Sequence, residues 1–155
     1  MRSLSSKVLD IKPSGIRKFF DLVQSSEDII SLGVGEPDFA TPWTVTEYAI
    51  YQLEKGYTSY TSNYGIIELR REIANYLQKE FHANYQPENE ILITVGVSEG
   101  LDLAFRTLLN PGDEVIVPVP NFVCYSPLVQ LAGGHAIDVD TSPTDFILTK
   151  QQLLN

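Results

Sequence analysis

The sequence predicts an α/β domain organised around a mostly parallel sheet, and three observations point there. Short runs rich in β-branched residues recur along the second half of the chain: "ILITV" from Ile91 to Val95, "EVIVPV" from Glu114 to Val119 and "HAIDVD" from His135 to Asp140. Between them the apolar residues switch to a spacing of three and four, the helical rhythm. Turns built on glycine and proline, "GVSEG", "NPGD" and "LAGG", mark each change of rhythm. Apolar strands alternating with helices belong to a parallel sheet covered on both faces.

The elements follow in chain order. In "IRKFFDLV", Ile16, Phe19, Phe20 and Val23 share one helical face, which predicts a helical lead-in. "SLGVGEPDFATP" reads as a loop, and Thr41 followed by Pro42 fits an N-cap and a first helical position. A helix from there to about Lys55 should stop at Gly56. "GYTSYTSNYG" holds three tyrosines in ten positions with neither period, so it is a loop with aromatic side chains to present. From Ile66, the residues Leu69, Ile73, Tyr76 and Leu77 recur at helical spacing, with Glu68, Arg70, Arg71 and Lys79 on other faces. The strand "ILITV" comes next, then a helix with Leu101, Ala104, Phe105, Leu108 and Leu109 in register. "NPGD" turns into the strand "EVIVPV"; a helix from about Phe122 to Leu131 ends at Gly133-Gly134, and "HAIDVD" supplies a third strand.

Composition narrows the function. With 43% hydrophobic and 20% charged residues, 155 residues form a globular domain or part of one. A net charge of −9 repels phosphate backbones and anionic lipid surfaces, so nucleic acid and membrane are not expected partners. No apolar run approaches the roughly 18 to 20 residues that span a bilayer, and the N-terminus lacks the unbroken apolar core of a secretory signal; a cytoplasmic protein is the expectation. One cysteine, Cys124, and two distant histidines, His82 and His135, provide no metal-ligand spacing. Cys124 reads as a small buried hydrophobe, the two histidines as structural, and Asp102 with Arg106 as a solvated pair four residues apart on a helix.

"GVSEG" stands where a strand hands over to a helix. Ligands of open parallel sheets sit beyond the carboxyl ends of the strands, where helix N-termini offer unpaired N–H groups and a positive dipole end. Gly96 permits a sharp turn, Ser98 offers a hydroxyl, and the N–H groups of Val97, Ser98 and Glu99 would face an anion. The same residues would also serve simply to turn and cap the helix. The segment is neither G-x-G-x-x-G nor a P-loop.

Taken together and in order, "SLGVGEPDF", "GYTSYTSNYGIIELRREIANYL", "ILITVGVSEGLDLA" and "LLNPGDEVIVPVPNFVCYSPLVQLAGG" resemble the N-terminal part of the fold type I pyridoxal-phosphate aminotransferases, the aspartate aminotransferase-like group, from about Ile11 onward. The resemblance implies an incomplete three-layer αβα large domain. Residues 1–44 would be an N-terminal arm with a substrate-side loop, and 45–155 the first part of the cofactor-binding domain. It further implies a homodimer, pyridoxal phosphate as cofactor, and transfer of an amino group between an α-amino acid and a 2-oxo acid. Val97, Ser98 and Glu99 match the turn that holds the cofactor phosphate. Phe122 matches the aromatic residue stacked on the pyridine ring, a role that asks for a flat apolar face. Tyr60 matches a tyrosine that reaches the neighbouring subunit's cofactor phosphate, and Gly35 a glycine whose backbone lies against the substrate carboxylate.

The same resemblance implies no catalytic residue here. The Schiff-base lysine of the family sits in a Ser-x-x-Lys context, and none of Lys7, Lys12, Lys18, Lys55, Lys79 and Lys150 has a serine three residues earlier. Asn110-Pro111 continues as a turn and does not match the family's ring-contacting asparagine. The chain is therefore expected to be the N-terminal portion of such an enzyme, catalytically incomplete by itself and prone to self-association. Two other readings remain: a lyase of the aminocyclopropane-carboxylate synthase kind, and a non-catalytic dimerisation or binding module with the same fold.

Overall fold

A computed structural model describes residues 4–12, 15, 35 and 37–154, and the expected lead-in helix around Ile16 to Val23 lies outside them. The chain divides into two compact units, Met1–Gly15 with Thr94–Asn155, and Ile16–Ile93.

In the first unit, a short helix α1 (Ser6–Leu9) precedes the long segment that forms the second unit. After it come α4 (Gly96–Leu108), β1 (Glu114–Val119), α5 (Tyr125–Ala132), β2 (His135–Asp140), one 3-10 turn (Ser142–Thr144) and α6 (Lys150–Leu153). The second unit contains α2 (Trp43–Glu54) and α3 (Ile67–Phe81).

β1 and β2 pair in parallel, with Glu114 opposite His135 and Val119 opposite Asp140. Parallel strands need a crossover, and α5 provides it while packing on both strands and on α4. The inward residues of β1 are Val115, Val117 and Val119, and Val117 and Val129 of α5 are the buried apolar residues of this unit. The opposite sheet face is open among the described residues. Ile116 and Ile137, partners in the register, are 46% and 40% exposed. Here the structure departs from the expectation of cover on both faces, because no described helix packs on that side.

A second departure concerns "ILITV". Residues 91–95 join no ladder, and the sheet has two strands among the described residues. A strand is defined by where its backbone groups bond, and of these residues Ile93 gives its N–H to the Tyr64 carbonyl at 3.1 Å, a loop group.

Helix ends show what local chemistry decides. α2 stops as expected: Gly56 has φ +76°, and the N–H groups of Gly56 and Tyr57 return to the carbonyls of Leu53 and Gln52. α5 ends the same way at Gly133, φ +99°, with Gly133 and Gly134 bonding back to Gln130 and Val129. The start of α2 is displaced by one residue, since Pro42 is its N-cap and Trp43 its first helical residue. α5 begins at Tyr125, not Phe122, because Phe122 lies in the turn that leaves β1 after the cis Val119–Pro120 bond. His82 closes α3 in the left-handed region, φ 56°. "NPGD" forms the turn before β1, with the Asp113 carboxylate accepting from the Asn110 N–H at 2.7 Å.

Candidate functional site

The site starts from the end of α4. Val95 is its N-cap and carries no capping side chain, so the first-turn amides rely on other partners. The Val95 N–H donates to the Glu99 carboxylate, and the Gly96 N–H turns back to the Thr94 carbonyl at 2.9 Å. Among the described residues, the N–H groups of Val97 and Ser98 have no protein acceptor. Gly96 makes the corner possible, with φ +78° and nothing within 4 Å of where a Cβ would stand. Val95 and Val97, 90% and 71% exposed, leave this helix end open to solvent.

A second wall comes from the segment that follows β1. Asn121 Nδ2 donates to the Pro118 carbonyl at 2.7 Å and holds the turn against the strand end. Ser98 Oγ donates to Cys124 Sγ at 3.9 Å, which joins the first turn of α4 to residues 121–124. Phe122 is 47% exposed, and its ring meets Tyr125 edge to face with centroids 5.8 Å apart. The ring thus has an aromatic neighbour while the residue stays half open. Ser126 Oγ bonds the Asp138 carboxylate at 3.2 Å and fastens the start of α5 to β2.

The structure therefore brings Val97, Ser98, Glu99 and Phe122 into one neighbourhood, beyond the carboxyl end of β1, as the rule for open parallel sheets requires. Two N–H groups, a hydroxyl and a helix dipole can hold a dianion there. The Glu99 carboxylate has the opposite effect on an anion but is engaged by the Val95 N–H.

Tyr60 and Gly35 belong to the other unit. Tyr60 is fully exposed on the loop between α2 and α3, at the edge of a groove of about 700 Å³ lined by Tyr48, Gln52, Tyr57, Ile66 and Glu68. Gly35 is exposed, with nothing within 4 Å of a notional Cβ.

Two features escaped sequence reasoning. Cys124 touches Ser98, which no spacing rule reveals. Arg70, expected on a helix face other than that of Leu69, Ile73, Tyr76 and Leu77, is buried, with 6% of its surface exposed. The Asp102–Arg106 pair is present on α4 at 2.8 Å and raises the Arg106 pKa through its hydrogen bond and charge.

Residues 27–155 match the family model "Aminotransferase class I and II". The chain is 57% identical over 139 residues to YugH of Bacillus subtilis (strain 168), a protein whose name assigns it to the aminotransferases, covering 90% of this chain and 36% of that one. It is 43% identical over 152 residues to aromatic-amino-acid aminotransferase 2 of Thermococcus litoralis, covering 97% of this chain and 39% of that one. The aspartate aminotransferase of Thermus thermophilus, solved with maleate, superimposes with a TM-score of 0.87 at 38% identity, over 99% of this chain and 41% of that one. The chain thus spans about 36 to 39% of the length of the curated relatives named here. On the family match and these identities, the chain belongs to the class I and II aminotransferases.

Proposed function

We propose that this chain is the cofactor-phosphate half of a pyridoxal-phosphate-dependent aminotransferase that moves an amino group between an α-amino acid and a 2-oxo acid, working as a homodimer. The observation that supports it most is the pair of unpartnered amides, Val97 and Ser98, at the start of α4, joined through Ser98 and Cys124 to the segment bearing Phe122. The donor set suits a phosphate monoester, whose oxygens accept from two N–H groups and one hydroxyl.

When bound, pyridoxal phosphate supplies an electron sink for carbanion chemistry at the amino-acid α-carbon. The work of this chain's residues is to bind and orient. The Val97 and Ser98 amides would hold the phosphate, the Ser98 hydroxyl would join them by turning its one proton from Cys124 Sγ to a phosphate oxygen, and the α4 dipole would add to that attraction. The Phe122 face stacks on the pyridine ring and excludes water from one side. Tyr60, exposed and free to reach outward, donates its phenol to the phosphate held by a second copy of the chain. The Gly35 backbone approaches the substrate carboxylate. Residues 1–44 serve as the arm and substrate-side loop, and 45–155 open the large domain. No lysine in the chain takes the covalent attachment role, so these residues bind cofactor without turning it over. Exposed apolar side chains, among them Trp43 at 68% and Leu53 at 62%, supply surface for self-association.

The test is a comparison of pyridoxal phosphate with pyridoxal, which lacks the phosphate, for the protein and for Val97→Pro. A proline in a first helical turn removes one N–H donor without breaking an intrahelical bond. Wild type should prefer the phosphorylated form by about tenfold or more, and the variant should lose most of that preference. Equal affinity for both compounds in wild type would overturn the reading.

A further inference from the structure

Arg70 is the single charged residue buried among the described residues. A buried cation ordinarily needs a counter-ion, yet no carboxylate lies within ion-pair distance of it among the described residues. Instead, its Nε donates to the Gly65 carbonyl at 3.2 Å, and its Nη1 to the Pro87 carbonyl at 2.6 Å and the Glu88 carbonyl at 3.1 Å. The guanidinium also lies over the Tyr64 ring, 5.8 Å from the centroid. The neighbouring Arg71, not Arg70, takes the Glu88 carboxylate, at 3.9 Å and in the open.

Three acceptors from two separate segments converge on one side chain of α3. One is the Tyr64–Gly65 end of the tyrosine loop, and the other is the Pro87–Glu88 turn. The loop has few other ties. Its Gly65 N–H bonds to the Ser62 carbonyl at 2.9 Å, its Tyr64 carbonyl accepts from Ile93, and Tyr60 itself has no partner among the described residues. A planar guanidinium can donate along several directions at once, which a lysine ammonium on a flexible stem does not reproduce.

We propose that Arg70 is a positioning residue: by fastening the Gly65 carbonyl to the Pro87 and Glu88 carbonyls, it fixes the loop that presents Tyr60 to the phosphate of a second copy's cofactor. The ligand end of this inference rests on the reading of Tyr60 given above. The structural end, that Arg70 holds the loop, stands on the three hydrogen bonds alone. Arg70 touches neither cofactor nor substrate; it acts through Tyr60.

The experiment uses the purified protein and its variants Arg70→Gln, Arg70→Lys, Tyr60→Phe and the double variant Arg70→Gln/Tyr60→Phe. Two quantities are read: amide exchange at Gly65 and Ile93, with His135 of the sheet as reference, and the preference for pyridoxal phosphate over pyridoxal. Arg70→Gln should speed exchange at Gly65 and Ile93 by about tenfold or more while leaving His135 unchanged. Arg70→Lys should fall between the two. The phosphate preference of Arg70→Gln should drop toward that of Tyr60→Phe, and the double variant should be no worse than the larger single effect. Unchanged exchange at both amides in Arg70→Gln overturns the proposal, as does a double variant whose losses simply add. Should Tyr60→Phe keep full phosphate preference, the reading of Tyr60 fails separately, and the exchange rates alone decide whether Arg70 holds the loop.

Discussion

Gly65→Ala should be among the most damaging single-methyl additions in this chain. Gly65 sits at φ +90°, where an L side chain crowds the following carbonyl; that costs roughly 1–2 kcal/mol per residue. A Cβ placed there would stand 2.7 Å from the Ile93 Cβ, and closer still to Ile93 Cγ1, well inside van der Waals contact. Forcing an extra methyl into a filled space costs roughly 1–3 kcal/mol. The two effects together give about 2–5 kcal/mol, a large part of the roughly 5–15 kcal/mol that holds a typical domain folded. Gly56 is the built-in control. It has φ +76° but nothing within 4 Å of its notional Cβ, so Gly56→Ala should show the backbone cost alone, about 1–2 kcal/mol. The assay is urea denaturation of both variants, with Ile93→Ala added to the Gly65→Ala background to remove the Cγ1 part of the clash, the closer part, while the Cβ at 2.7 Å stays. Gly65→Ala should lose more stability than Gly56→Ala, and Ile93→Ala should cost less in the Gly65→Ala background than in wild type. Equal losses at the two glycines, with no relief from Ile93→Ala, would show that the loop does not press on Ile93 as described.

Asp140 accepts hydrogen bonds from Ser142, which hold its carboxyl below the usual aspartate pKa. A carboxyl whose folded pKa is depressed contributes stability above its unfolded pKa, near pH 4, and loses it as pH falls through the folded value. Asp140→Asn should therefore flatten the acid limb of a stability-against-pH curve below about pH 4 while changing its slope little near neutrality; an acid limb identical to wild type would contradict this. Cys124 is half-buried and touches Ser98 beside the proposed phosphate site. Pyridoxal phosphate should slow alkylation of Cys124 by iodoacetamide while pyridoxal does so less; equal rates with and without the phosphate would count against the site.

Legibility followed the range of the forces involved. The bounds of β1 and β2, the "NPGD" turn and the stops at Gly56 and Gly133 are local, set by β-branched runs and by glycines that alone accept positive φ cheaply, and each stands where the residues placed it. "ILITV" has the right residues for a strand, yet a ladder needs a neighbour, and no residue pattern within the run says whether one is present. Arg70 shows the same limit for a side chain. Helical spacing puts it three residues before Ile73 and seven before Leu77, on their face, but the carbonyls that hold its charge there lie some seventeen residues away, beyond any local pattern. The unpartnered state of the Val97 and Ser98 amides was legible because a glycine corner opening a helix leaves amides without partners. The contact from Ser98 to Cys124 was not, since it depends on how α4 meets the turn after β1.

The central claim is that the first turn of α4 takes the cofactor phosphate, and the amides themselves report on it. The most direct measurement is a titration of the ¹⁵N-labelled protein with pyridoxal phosphate, followed by amide NMR and repeated with pyridoxal. The amide resonances of Val97 and Ser98 should move first and furthest with pyridoxal phosphate and stay nearly still with pyridoxal. Shifts centred elsewhere, for instance around the polar cleft of Lys7, Gln130 and His135, with Val97 and Ser98 unmoved, would contradict it.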